Sequence, residues 1–95
     1  MYSSINKLKK FTCEYFKGDD VQIVFFGSRS RGDESLLSDI DIGVWYREKQ
    51  GLKAGLFSEA IEELNIPFKI DIVDLSKCSL DFREKVLSQG IIWKD

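Results

Sequence analysis

The 95-residue chain contains no histidine. That removes most zinc sites, every Ser-His or Cys-His nucleophile pair and all imidazole acid–base chemistry. Cysteine is scarce as well: Cys13 and Cys78 stand far apart, with no Cys-x-x-Cys spacing. The start, Met-Tyr-Ser-Ser-Ile-Asn-Lys, carries no secretion signal, so the two are expected to be reduced structural thiols. No uninterrupted apolar run approaches the ~18 residues of a spanning helix. A cytoplasmic location away from the membrane is therefore expected. Positive charge is not in excess either. Fourteen Lys and Arg stand against sixteen Asp and Glu, a net charge of −2, whereas a nucleic-acid wrapper would usually have a domain pI above ~9. Chemistry in this chain is left to carboxylates, hydroxyls, cations and any metal they hold.

What is present suits one small globular domain, residues 1–95. Apolar residues make up 43% and charged residues 32%, too apolar for disorder. A chain of this size buries about 60–68% of its unfolded surface, enough for a core but not for a second lobe. Apolar residues at helical spacing predict a helix over 4–17, capped by Ser3 or Ser4 and closed by Gly18. Val21–Phe26 and Ile40–Tyr46 read as strands, separated by a Gly- and Ser-rich loop. Leu52, Leu56, Phe57, Ala60, Ile61 and Leu64 mark a second helix, halted by Pro67. A third strand over 68–73 follows. Then comes a helix near 79–88, with Leu80, Val86 and Leu87 inward, and a short strand at 91–93. This order predicts an α/β (α+β) fold, a small mixed sheet of three to four strands with helices packed on it. The first two strands should be antiparallel. The second and third, joined through a helix, should be parallel.

The acids are patterned. In Asp39-Ile40-Asp41-Ile42 the strand period of two sends both carboxylates to one face and both isoleucines to the other. Phe68-Lys69-Ile70-Asp71-Ile72 repeats the alternation. If the strands are neighbours, Asp71 joins Asp39 and Asp41. Like charges on one face repel and resist desolvation, and a cation relieves both. Oxygen donors alone favour a hard ion, Mg²⁺ or Mn²⁺. The plainer alternative is a solvated acidic face, because Asp-x-Asp on its own is common.

Gly27-Ser28 follows the first strand directly. Glycine allows close backbone approach, serine adds a hydroxyl, and free N–H groups at a helix start attract phosphate. Arg29 and Arg31 add two permanent, fork-shaped cations there. An acidic metal site facing a phosphate-ready turn is what nucleotide–Mg²⁺ chemistry requires. Residues 27–32 satisfy the GxxxxG part of a P-loop, but Asp33 and Glu34 replace its Lys and Ser/Thr, which excludes that motif. The lysines of the first helix (Lys7, Lys9, Lys10, Lys17) are read as a solvated face, and Trp45 and Trp93 as core or interface aromatics.

Residues 27–41, GSRSRGDESLLSDID, resemble the signature of the polymerase-β-like nucleotidyltransferases: Gly-Ser, ten residues from Arg29 to Ser38, then Asp-x-Asp. The Gly-Ser-Arg-x-Arg-Gly start is similar to that of the minimal nucleotidyltransferases. Asp71 matches the family's third carboxylate. Asp74 competes for that position, but its offset of three points it to the other side of the strand. The resemblance implies Gly27, Ser28, Arg29 and Arg31 on the nucleotide, and Asp39, Asp41 and Asp71 as catalytic residues holding two Mg²⁺ ions, with Mn²⁺ the other candidate ion. It also implies transfer of AMP from ATP to a hydroxyl, a tyrosine of a HEPN-family toxin, by an antitoxin enzyme. Two alternatives stand beside this: a non-catalytic module that neutralises a toxin by covering it, and a nucleotidyltransferase acting on a small alcohol or an RNA end. With no acceptor-binding lobe in the chain, the acceptor is expected to come from a docked partner, and homo- or hetero-oligomers fit a domain this small. No membrane partner is expected, nor a nucleic acid.

Overall fold

The computed structural model describes residues 2–27, 39–48 and 52–95. Along the chain run α1 (Tyr2–Tyr15), β1 (Val21–Phe26), β2 (Ile40–Tyr46), α2 (Leu52–Glu62), β3 (Ile70–Asp74), a 3₁₀ turn (Leu75–Lys77), α3 (Leu80–Gln89) and β4 (Ile91–Lys94). The strands form one mixed sheet in the order β3-β2-β1-β4. β1 is antiparallel to both β2 and β4, and β2 is parallel to β3. The α/β expectation and both strand orientations hold. Among the described residues no helix is long and apolar enough to cross a membrane.

The period of two divides the sheet into unlike faces. Ile23 and Phe25 of β1 and Ile40, Ile42 and Val44 of β2 point to one side. There they are buried with Leu8 of α1, Phe16, and Phe57 and Ile61 of α2. Fully burying one such aliphatic side chain is worth about 1.5–3 kcal/mol, so this side supplies most of the folding drive. Phe16 sits at the centre of an aromatic cluster, 4.9 Å from the Tyr15 and Phe57 rings and edge-on to both. On the other side Val24, Leu75 and Val86 make a smaller core with Phe26, Trp45, Val73 and Leu87 against them. Gly43 lets that core close. A Cβ there would lie 2.9 Å from Leu75 Cδ1, so only a bare backbone admits the leucine onto β2.

Helix boundaries depart from the sequence expectations where local rules compete. α1 begins at Tyr2, so Ser3 and Ser4 are positions inside the helix and not ahead of it. α2 stops at Glu62, ahead of Pro67. The chain turns out through Asn65 at φ +54°, a left-handed position that asparagine tolerates. Ser79 caps α3, its hydroxyl accepting from Phe82 N–H at 3.2 Å. Leu80 falls in the first turn and is 58% exposed, not inward as the apolar spacing suggested. Leu52 and Leu56, also counted in the apolar stripe, face solvent. Cys13 and Cys78 are free thiols. Trp93 packs on Phe25 at 5.2 Å, and Trp45 carries the Arg83 guanidinium 4.7 Å above its ring. Lys7 donates to the Leu64 carbonyl, and the other lysines of α1 are exposed.

Candidate active site

The acids lie on the second face of the sheet, where β1 ends and β2 begins. Asp39 lies one residue ahead of β2, and Asp41 is its second residue. Parallel pairing sets Asp41 beside Asp71 of β3, and antiparallel pairing sets it beside Phe26 of β1. The Ile40 N–H donates to the Lys69 carbonyl at 2.9 Å, pinning the two strands at the level of the acids. With Ile40, Ile42, Ile70 and Ile72 committed to the apolar side, Asp39, Asp41 and Asp71 share the opposite one. Asp74, three residues beyond Asp71, turns away. Its carboxylate accepts from Ser76 N–H at 2.9 Å and caps the 3₁₀ turn.

Asp41 feels the other two acids. The Asp41 carboxyl is pushed above the ordinary carboxylate range, first by burial, then by the negative charges of Asp71 and Asp39, with Lys69 opposing. Lys69, two residues before Asp71, projects onto the same face. Its ammonium lies 3.8 Å from Asp39 Oδ2 and 3.9 Å from Asp71 Oδ1. Among the described residues no three His, Cys, Asp or Glu side chains form a ready-made metal cage. The donor set nevertheless fits a hard divalent cation: it is all oxygen and like-charged, and burial with the neighbouring acids penalises ionisation of Asp41.

Gly27 closes β1 at φ +87°. A Cβ on it would lie 2.2 Å from Asp41 Oδ2 and 3.2 Å from Asp41 Cγ. The Asp41 carboxylate therefore occupies the space a side chain would fill. Glycine is required here twice over, by backbone conformation and by the seat of the acid. Ser28, Arg29 and Arg31 lie outside the described residues. Lys69 and the steric role of Gly27 are the two site features that reasoning on sequence missed. The signal for Lys69 was its i, i+2 relation to Asp71, which places both on one face of a strand.

A four-stranded mixed sheet whose acid pair opens the second strand beside a glycine turn is the fold of the polymerase beta nucleotidyltransferases. The chain belongs to that family, whose model matches residues 6–94. Over 66 residues, 68% of the chain, it is 33% identical to "Probable protein adenylyltransferase MntA" of Haemophilus influenzae. The matched stretch spans 58% of the length of that curated relative. Among solved structures, one assigned to the minimal nucleotidyltransferases is 24% identical with a TM-score of 0.68, covering 95% of this chain and 90% of that one. A toxin–antitoxin solved with AMP-PNP is 27% identical with a TM-score of 0.64, covering 93% of this chain and 70% of that one.

Proposed function

We propose that residues 1–95 work as one minimal nucleotidyltransferase domain that uses Mg²⁺ to move AMP from ATP to a hydroxyl on a partner protein. The acceptor is a tyrosine of a HEPN-family toxin, and the chain is the antitoxin of a cytoplasmic pair. The observation that carries this reading is the meeting of Asp39, Asp41 and Asp71 on one face beside the Gly27 turn. The curated relative named as an adenylyltransferase and the similar toxin–antitoxin with AMP-PNP support it.

Asp39 and Asp41 would hold the divalent ions, with Asp71 completing the set. A divalent ion held there would supply charge stabilisation for an in-line displacement. The acceptor oxygen bonds to the α-phosphorus, the bond to the bridging oxygen breaks, and pyrophosphate leaves. Asp71 takes up the hydroxyl proton. We assign the triphosphate to the Gly27 backbone and Ser28, and the neutralising of its charge to Arg29 and Arg31. Positioning and electrostatics carry the rate, so the lack of histidine is no obstacle.

The test is intact mass spectrometry of the partner after incubation with the chain, ATP and Mg²⁺. A gain of one adenylate is expected, and Asp39→Asn combined with Asp41→Asn should abolish it while the fold remains. Transfer by that double variant would overturn the assignment. Neutralisation of the toxin by the double variant as fully as by wild type would replace transfer with simple covering.

A further inference from the structure

Lys69 stands where a metal's charge would act. It lies just ahead of the first residue of β3, and its carbonyl holds the N–H of Ile40, the residue between the two acids of β2. This backbone bond brings the side chain alongside Asp39, while the strand period brings it to the side of Asp71. The ammonium sits between those carboxylates at nearly equal distances, 3.8 and 3.9 Å. Both exceed the ~2.7–2.9 Å of a charge-assisted hydrogen bond, so it neutralises both acids without being fixed to either. Its side chain is 71% exposed. A guanidinium in this place would grip one carboxylate through two parallel bonds. A lysine ammonium is a point charge on a flexible stem and is easily turned out.

The charges explain why the cluster needs such a group. Asp41 and Asp71 are direct lateral partners in the parallel ladder, and like charges placed so destabilise a sheet. With Asp39 the three carboxylates carry −3, and Lys69 brings the four groups to −2. A divalent cation would do the same task with more charge and would need the oxygens that Lys69 attends.

We propose that Lys69 is an exchangeable counter-ion of the carboxylate cluster, a positioning residue that neutralises Asp39 and Asp71 before metal arrives, gives way to the divalent ion, and thereby sets the affinity of the site. The proposal rests on the reading of the cluster as a metal site. It assigns Lys69 no contact with the reacting atoms.

Mn²⁺ alone is the probe, with free ion measured by electron paramagnetic resonance during titration of the full chain. Wild type is compared with Lys69→Gln, Lys69→Arg and the double variant Asp39→Asn with Asp41→Asn. Removing one exposed cation from a like-charged cluster is expected to tighten Mn²⁺ binding about threefold. Lys69→Arg, which retains the charge, should not tighten it. Without metal, Lys69→Gln should melt slightly below wild type. Unchanged or weaker binding by Lys69→Gln, with wild type binding normally and the double variant not, would overturn the role of Lys69 alone. Equal binding by wild type and the double variant would remove the metal site itself, and the proposal with it.

Discussion

Ile42 and Asp41 are consecutive residues of one strand, and they face opposite demands. Ile42 is fully buried under α1 and α2 with Ile23, Phe25, Val44 and Phe57. Asp41 looks out on the other side at Asp71, Asp39 and Lys69, its carboxyl pushed up by burial and by its acidic neighbours. The two faces of the sheet thus divide the molecule's tasks. The isoleucine side contributes stability, and the aspartate side loses some of it in order to hold charges of one sign together. A strand suits this division because its period of two keeps the sets apart without any change in backbone. The same arrangement lets a domain of this size host an acid cluster, since the side that must be strong is not the side that must react.

Substitutions on either side should therefore differ in sign as well as size. Ile42→Ala opens a cavity in the main core and is expected to cost about 3 kcal/mol, read by urea denaturation. Its effect should not depend on divalent ions. A cost below about 1 kcal/mol would mean that the apolar side is not the one that carries the fold.

Gly27→Ala comes next in size. It forces a non-glycine residue to φ +87° and sets a methyl group against the Asp41 carboxylate. The conformational part is expected to cost about 1–2 kcal/mol. Displacing the acid should weaken Mn²⁺ binding about tenfold, the scale seen when a metal ligand loses its support. A variant that loses stability but keeps full Mn²⁺ affinity would break the link between the glycine and the seat of Asp41.

How much of this was legible in the sequence follows from which forces are local. The strands were, because Val21–Phe26 and Ile40–Tyr46 are rich in β-branched and aromatic residues. The facing of Asp39, Asp41 and Asp71 was legible for the same reason, since alternation is a property of the chain itself. Helix ends were less so. Asn65 ended α2 before Pro67 could, and the phase set by the Ser79 cap left Leu80 in solvent. Contacts that depend on strand register could not be read at all. That Lys69 lies beside Asp39 follows from the Ile40–Lys69 backbone bond, and that Gly27 abuts Asp41 follows from the β1–β2 pairing. Neither pairing is encoded within one segment, so the cluster's counter-ion and the seat of its central acid emerged only with the fold.

The smallest effect has the most informative sign. Asp41→Asn removes the central charge of the cluster while keeping its shape, so the metal-free variant should be more stable than wild type near neutral pH. The gain should stay below about 1 kcal/mol, the range for like-charged lateral pairs, or a few degrees in melting temperature for a domain of this length. Because burial and acidic neighbours raise the carboxyl above its ordinary 3.8 in the folded chain, the native state holds its proton to higher pH than the unfolded state does. Stability contributed by this group is thus fully present below about pH 3.8 and is lost as pH rises through the raised value. In Asp41→Asn that downward step should vanish from the metal-free melting curve plotted against pH. Saturating Mn²⁺ should reverse the order, because an ion that binds only the folded wild type stabilises it by mass action. If the variant is instead less stable without metal, burial and repulsion do not disfavour the Asp41 charge in the fold. The acidic face would then contribute to folding as the isoleucine face does.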